Sequence, residues 1–126
     1  MPYQWDDEPP ESAQAFLRER LNEHAKVRSW LKEEGEPQIY AIERHRMRAV
    51  RVFIEHVYTL GVSDYEAIRN AHPDIRCILS TQPSNQFGSD ALAEARSDHV
   101  ALFDYSALFG ALHKDGEAFY QHVPRK

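Results

Sequence analysis

Four arginines and one histidine stand close together in the segment ERHRMRAVR, residues 43–51. If this segment is helical, Arg44, Arg48 and Arg51 share one face, because residues three and four positions apart are neighbours on a helix. Guanidinium groups in such a row can bind phosphates or an acidic partner. The same groups can instead pair with the chain's own acids on a solvated face. The sequence thus predicts a nucleic-acid or partner site at Arg44, His45, Arg48 and Arg51, with the solvated face as the alternative.

A second set of polar side chains follows two predicted buried strands. Thr81 and Gln82 come after the first strand, and Asp104 comes directly after the second. Ligands bind beyond the carboxyl ends of strands in open parallel sheets, so these three residues are a candidate pocket at the sheet edge. The alternative is that Asp104 caps a helix and Thr81 is a turn residue. The loop TQPSNQFGSD has a single glycine, which argues against a phosphate-binding loop.

The sequence gives little support for a metal site or for a catalytic nucleophile. The seven histidines match no zinc spacing, and none are four residues apart as two ligands on one helical face would be. Cys77 is the only cysteine and lies inside a predicted strand, and there is no GxSxG motif. The sequence therefore predicts no metal, no cofactor and no catalytic residue.

The amino-acid composition is typical of an ordinary folded domain. The chain has 126 residues, of which 42% are hydrophobic and 28% charged, and its formal net charge is −5. This charge argues against non-specific coating of nucleic acid but allows a local basic patch. No apolar run approaches the ~20 residues of a membrane span, and the N-terminus is acidic and proline-rich, unlike a signal peptide. We predict an extended lead-in at residues 1–10 and a single cytoplasmic α/β domain at residues 11–126.

The first half of the chain reads as helical, with one ambiguity. Apolar residues recur at three- and four-residue steps over Glu11–Glu34, which predicts a helix. The segment Pro37–Leu60 is either one long helix or a strand at Gln38–Glu43 followed by a helix at His45–Leu60. A short helix is predicted from Ser63 to His72, because the residue before Pro73 disfavours helical geometry.

The second half gives clearer signals. Buried strands are predicted at Ile75–Ser80 and His99–Phe103, with a helix beginning at Ser89 between them. Two strands joined in this way should be parallel. Asp104 begins another helix that runs through Leu112, and a last turn follows at Glu117–His122. The predicted fold is α/β, with N-terminal helices followed by a β-α-β-α unit that holds a short parallel sheet.

Residues 75–113, which include CILSTQPSNQFGSDALAEARSDHVALFDYSALFGAL, resemble the C-terminal half of the nuclease fold of Mrr-type restriction endonucleases. That family has a strand ending in hydroxyl residues, a loop with an aromatic, an alanine-rich helix, a strand ending in aspartate and a final helix. It holds a divalent metal with an aspartate and with an acid or glutamine two residues before a catalytic lysine. The corresponding place here is expected in QIYAIERHR, where Glu43 is followed by Arg44 and His45. The resemblance therefore implies a reduced relative that does not cut.

Two functions remain open from sequence. The favoured one is a non-catalytic interaction or regulatory module beside a nucleic-acid-processing or defence system. It would have a protein partner or self-associate through an unpaired sheet edge, could touch nucleic acid through its basic face, and would not bind membranes. The alternative is a small metal-dependent nuclease with an irregular site around Glu43 and His45.

Overall fold

A computed structural model of the protein describes residues 9–36, 38–82 and 86–123. Within these ranges the chain forms a small α/β domain. Its helices are α1 (Glu11–Glu23), α2 (Val62–Ala71), α3 (Ser89–Ser97), α4 (Tyr105–Ala111) and α5 (Glu117–Tyr120). Its strands are β1 (Val27–Lys32), β2 (Ile39–Arg44), β3 (Met47–Glu55), β4 (Thr59–Leu60), β5 (Cys77–Ser80), β6 (Gln86–Phe87) and β7 (Ala101–Phe103). Most of the predicted lead-in, Pro37 and the middle of the loop at 81–88 lie outside the described residues.

Five strands form one mixed sheet in the order β1-β2-β3-β5-β7. The pairs β1–β2 and β2–β3 are antiparallel, while β3, β5 and β7 run parallel to one another. A second ladder, two residues long, joins β4 and β6 in parallel. Strands β3, β5 and β7 therefore end at the same edge of the sheet, which we call the carboxyl edge.

Helices cover both faces of the sheet. Successive residues of a strand point to opposite sides of the sheet, so each strand contributes to two cores. Ile54 of β3 belongs to a core with side chains of α1, α4 and α5. Its neighbour Phe53 belongs to a second core with side chains of α2 and α3. The domain thus has three layers, with the sheet in the middle.

The helices predicted before Gly61 are largely wrong, whereas the helix predicted at Ser63–His72 is confirmed by α2 to within one residue at each end. Helix α1 ends at Glu23, and edge strand β1 (Val27–Lys32) lies within the second half of the expected helix. The spacing of apolar residues in this part of the chain suits a helix or a strand. The segment Pro37–Leu60 contains no long helix: β2 confirms the strand alternative to within one residue at each end, but β3 replaces the helix expected from His45. Val50, Val52 and Ile54 alternate with a period of two, and β-branched side chains favour strands.

The second half follows the prediction closely. Strands β5 and β7 lie side by side and parallel, and α3 lies between them in sequence. The Asp104 carboxylate accepts a hydrogen bond from the Ala107 N–H at 2.8 Å and so caps α4, as one of the two sequence alternatives proposed. Phe119 of α5 is fully buried. The domain is therefore α/β, with β5 and β7 as parallel neighbours in a five-stranded mixed sheet and with the short strand β6 between β5 and α3. The N-cap of α3 is Gly88, one residue before the Ser89 expected from sequence.

Candidate functional site

Polar side chains gather at the carboxyl edge, where β3 and β5 end together. Glu55 is the last residue of β3 and lies opposite Ser80, the last residue of β5, in the strand register. The next residues along the two strands are His56 and Thr81. The Thr81 N–H donates to the Glu55 carbonyl at 2.8 Å, which extends the β3–β5 pairing past the end of β5.

His56, Thr81 and Gln82 form a short hydrogen-bonded chain. The Thr81 hydroxyl donates to the Glu55 carbonyl oxygen at 2.9 Å, and its Oγ1 lies 2.7 Å from His56 Nδ1. Because the hydroxyl proton is already used, Nδ1 must donate to Oγ1. His56 Nε2 is then an acceptor for the Gln82 amide, 3.4 Å away. A neutral imidazole protonated on Nδ1 satisfies all three contacts.

Glu55 is the unusual residue of this edge, since its carboxyl is buried without a matching cation. Its side chain has no exposed surface, and its Oε2 accepts from the Val57 N–H at 3.3 Å. Neither Glu55 Oε1 nor Ser80 Oγ has a hydrogen-bond partner among the described residues. Burial raises the pKa of Glu55 to about 7, and the hydrogen bond from the Val57 N–H offsets this only in part. The carboxyl is therefore about half protonated at pH 7.

The β4–β6 ladder follows Glu55 closely along the chain. The chain runs from Glu55 into β4, and the Gly88 N–H donates to the Leu60 carbonyl at 2.9 Å. Leu60 is buried, and Val57 and Phe87 pack on the same core as Phe53. Glu55 thus lies between the end of the sheet and the second core, away from solvent.

The predicted pocket of Thr81, Gln82 and Asp104 is divided in the structure. Thr81 and Gln82 are brought together through His56, whereas the Asp104 carboxylate is used as the cap of α4. A ligand-binding role for the three residues stays a prediction. The structure adds Glu55 and His56 to this edge, and it places Glu55 opposite Ser80, the last residue of the predicted first strand.

The four residues of the predicted basic face do not share a helical face, because they lie on β2, the β2–β3 turn and β3. The Arg44 side chain is fully buried. Its Nε and Nη2 donate to the Arg48 carbonyl at 2.9 and 2.7 Å, and Nη1 donates to the carbonyls of Leu112 and Lys114 at 3.2 and 2.5 Å. Burial lowers the pKa of this guanidinium, an effect that Asp115 partly offsets. Arg44 therefore ties the hairpin to the α4–α5 loop.

Arg51 pairs with acids of the chain itself, which is the alternative that the sequence left open. Its Nε and Nη2 donate to the two Glu33 oxygens at 2.8 and 2.9 Å, and it also pairs with Asp74. His45 and Arg48 are exposed. The Arg48 guanidinium makes no hydrogen bond or ion pair with any residue in the described part of the chain. Of the predicted basic face, Arg48 and His45 are the residues left accessible to a ligand.

Sequence reasoning missed Glu55 and His56. Glu55 and His56 fell inside a segment predicted as helix, where no sheet edge existed to hold them. One signal was present: Glu55 ends the run VRVFIE, and an acid inside such an apolar, β-branched stretch is uncommon. The placement of Glu43 differs as well, because it is exposed on β2 and paired with Arg28.

Within the described ranges, no three His, Cys, Asp or Glu side chains are grouped so that they could hold a metal ion. No helix there has the length and apolar character needed to cross a bilayer. Comparison with protein-family models, with curated proteins and with solved structures gives no match to this chain.

Proposed function

We propose that this protein is a non-catalytic interaction module, built on a scaffold related to the Mrr-type nuclease fold and acting beside nucleic-acid-processing machinery. The observation that carries the proposal is the state of Glu55. It stands at the end of β3, the parallel strand that precedes the region of resemblance, and it is buried opposite Ser80.

The order of elements supports the kinship. Strand β5 ends in Ser80 and is followed by Thr81, the connection that follows includes the aromatic Phe87, and α3 contains three alanines. Strand β7 then leads to Asp104 and the final helix α4. These are the features on which the resemblance rests, in the same order and on the expected elements.

The catalytic motif of that family would place a lysine two residues after the acid. With Glu55 as the acid, that position is Val57, which packs on the second core. A valine cannot supply the ammonium group, and a protonated, buried carboxyl is a poor ligand for a divalent cation. The chemistry of this edge therefore favours a binding role over cutting.

The interaction surfaces in this proposal are the outer strands of the sheet. Among the described residues β1 and β7 each pair with only one neighbour. Leu31 on β1 is 65% exposed and is the apolar side chain that a protein partner or second copy would bury. A bulge between Val27 and Ser29 interrupts β1, which limits uncontrolled pairing along this edge.

The alternative, a metal-dependent nuclease, is favoured by one observation: the raised pKa of Glu55 places an acid of altered strength at the sheet edge. In this alternative the site would be at Glu55. The earlier candidates Glu43 and His45 are exposed near the β2–β3 turn, at the opposite end of β3.

The test is incubation of the purified protein with supercoiled plasmid and Mg²⁺ or Mn²⁺, alongside Glu55→Gln and Glu43→Ala. We expect no metal-dependent cleavage by any of the three proteins. Cleavage that is lost in Glu55→Gln and kept in Glu43→Ala would overturn the proposal and place an active site at the carboxyl edge. Loss in Glu43→Ala alone would place it at the hairpin, and equal cutting by all three would indicate a contaminant.

A further inference from the structure

Cationic side chains surround the start of β3, at the end of the strand opposite Glu55. We call this group the basic corner, and its cations are Lys26, Arg44, Arg46, Arg48, Arg76 and Lys114. The group is continuous, since the His45 N–H donates to the Lys26 carbonyl at 3.0 Å and Arg44 donates to the Lys114 carbonyl. Two carboxylates, Asp115 and Glu117, lie among these six cations. The corner therefore has an excess of four positive charges in a chain of formal net charge −5.

A cavity of about 150 Å³ opens inside the basic corner. Arg44, Arg48 and Arg76 line it, together with Tyr120 of α5 and the carboxylates of Asp115 and Glu117. The Arg76 guanidinium stacks on the Tyr120 ring with 4.0 Å between its Cζ and the ring centroid, and its Nε donates to the His99 carbonyl at 3.0 Å. The cavity thus brings guanidinium groups from β3 and from the residue before β5 to one small space, with Arg44 behind them.

The carboxylates of the corner already have partners. Glu117 Oε1 accepts from Arg76 Nη2 at 2.8 Å. Asp115 Oδ1 accepts from the backbone N–H groups of Arg48 and Gly116 at 3.2 and 2.9 Å, and these bonds lower the pKa of Asp115. The Arg48 guanidinium remains without a described partner. Arg48 is therefore available to an added anion.

Arg44 adds a positive field from beneath the cavity. Its charge is buried and is balanced by three backbone carbonyls and by one long contact of 3.4 Å to Asp115. Carbonyl dipoles solvate a cation without cancelling its net charge, and a buried charge is less screened than an exposed one. The field of Arg44 thus favours an anion at this position.

We propose that the basic corner binds the phosphate groups of a nucleic-acid backbone, with Arg48 donating to one phosphate in the cavity. Arg76, which is held by Glu117 and the His99 carbonyl, adds positive charge beside it. The inference rests on the proposed function only in that both place the module beside nucleic acid.

The surroundings favour nucleic acid over a protein or a membrane. Protein interfaces are centred on buried apolar or aromatic anchors, and membrane-surface binding requires apolar side chains to insert. The large hydrophobic side chains exposed among the described residues are Phe16, Leu31, Tyr58, Leu92 and Val123, and none of them lines the cavity of the corner. Leu92 and Val123 line a neighbouring cavity, which shares Glu117 and Tyr120 with this one. Interfaces with nucleic acid are polar and strongly positive, as this corner is.

The test is fluorescence anisotropy with a short labelled oligonucleotide, single-stranded and duplex, over a range of salt concentrations in EDTA. Arg48→Gln is expected to bind several-fold more weakly, with the slope of log Kd against log salt reduced by about 0.7 for the single strand. Lys32→Gln, which removes one positive charge at the far end of β1, is the matched control and is expected to bind as the wild type does. Thermal melting establishes that both variants fold.

Three outcomes would overturn the inference: no binding by the wild type at low salt, equal weakening by both variants, or displacement of the oligonucleotide by polyglutamate as readily as by unlabelled DNA. The last outcome would assign the corner to an acidic protein. Because EDTA removes metal, this assay is independent of cleavage. A protein that binds and also cuts with Mg²⁺ would contradict the proposed function alone, whereas one that neither cuts nor binds would contradict this inference alone.

Discussion

Glu55→Gln is expected to stabilise the protein at pH values above about 7 and to leave its stability unchanged below about 4.5. The pKa of Glu55 is raised from 4.5 to about 7, so the folded state holds a proton that the unfolded state has released. The stabilising effect of that proton is complete below pH 4.5 and is lost as the pH rises through about 7. The shift corresponds to about 3 kcal/mol of unfolding free energy. Glutamine keeps the shape of the neutral acid and cannot ionise.

Urea denaturation of wild type and Glu55→Gln across this pH range measures the effect. Glu19→Gln is the matched control, because Glu19 is an exposed residue of α1. The difference in unfolding free energy between wild type and Glu55→Gln should grow as the pH rises from 4.5 to about 7 and stay constant above that. Parallel stability profiles for the two proteins would show that Glu55 ionises normally in the folded state.

Arg44→Met is expected to destabilise the protein by about 3 kcal/mol. Methionine keeps the length of the side chain over the Phe119 ring, where the Arg44 Cζ lies 5.4 Å from the centroid. It leaves the carbonyls of Arg48, Leu112 and Lys114 without their donor. Arg44→Lys should recover only part of the loss, because one ammonium cannot reproduce the planar fork.

The matched control for this prediction is Arg51→Met. Arg51 is 39% exposed and pairs with the surface acids Glu33 and Asp74, so its loss should cost less than about 1 kcal/mol. Urea midpoints for the three variants give the comparison. Equal costs for Arg44→Met and Arg51→Met would mean that the buried guanidinium is no more important than a surface one.

The parts of the fold that sequence predicted well are those specified by local signals. Pro73 ends one segment, Asp104 caps α4, and the short apolar runs of β5 and β7 suit strands buried on both faces. Each of these signals acts within a few residues, so it can be read without knowledge of the tertiary structure.

The hairpin of β2 and β3 could not be predicted in the same way. Val50, Phe53 and Val57 fit a helical stripe, while Val50, Val52 and Ile54 fit a strand, and the choice depends on pairing with distant residues. Strand β3 is stabilised by β5, more than twenty positions further along the chain, through pairs such as Phe53 with Ile78. Once β3 was misassigned as helix, neither Glu55 nor the burial of Arg44 could be foreseen.

The chemistry of the candidate site depends on that same pairing. Thr81 and Gln82 were identified because ligands bind at the carboxyl edge of parallel strands in general. Their partner His56 and the buried Glu55 come from the neighbouring strand β3 and the residue after it, which the sequence did not place beside them. For the cationic residues the sequence shows which arginines are present but not their environments. Only the fold distinguishes the accessible Arg48 from the buried Arg44 and the paired Arg51.

We propose that the carboxyl edge holds a buried acid of raised pKa and that this acid does not bind a catalytic metal. The most direct measurement is the carbon-13 NMR titration of the Glu55 side-chain carboxyl, assigned by its loss in Glu55→Gln, with and without millimolar Mg²⁺. We predict a midpoint near 7 that Mg²⁺ leaves unchanged. A midpoint near the ordinary value of 4.5, or one that falls when Mg²⁺ is added, would contradict this account.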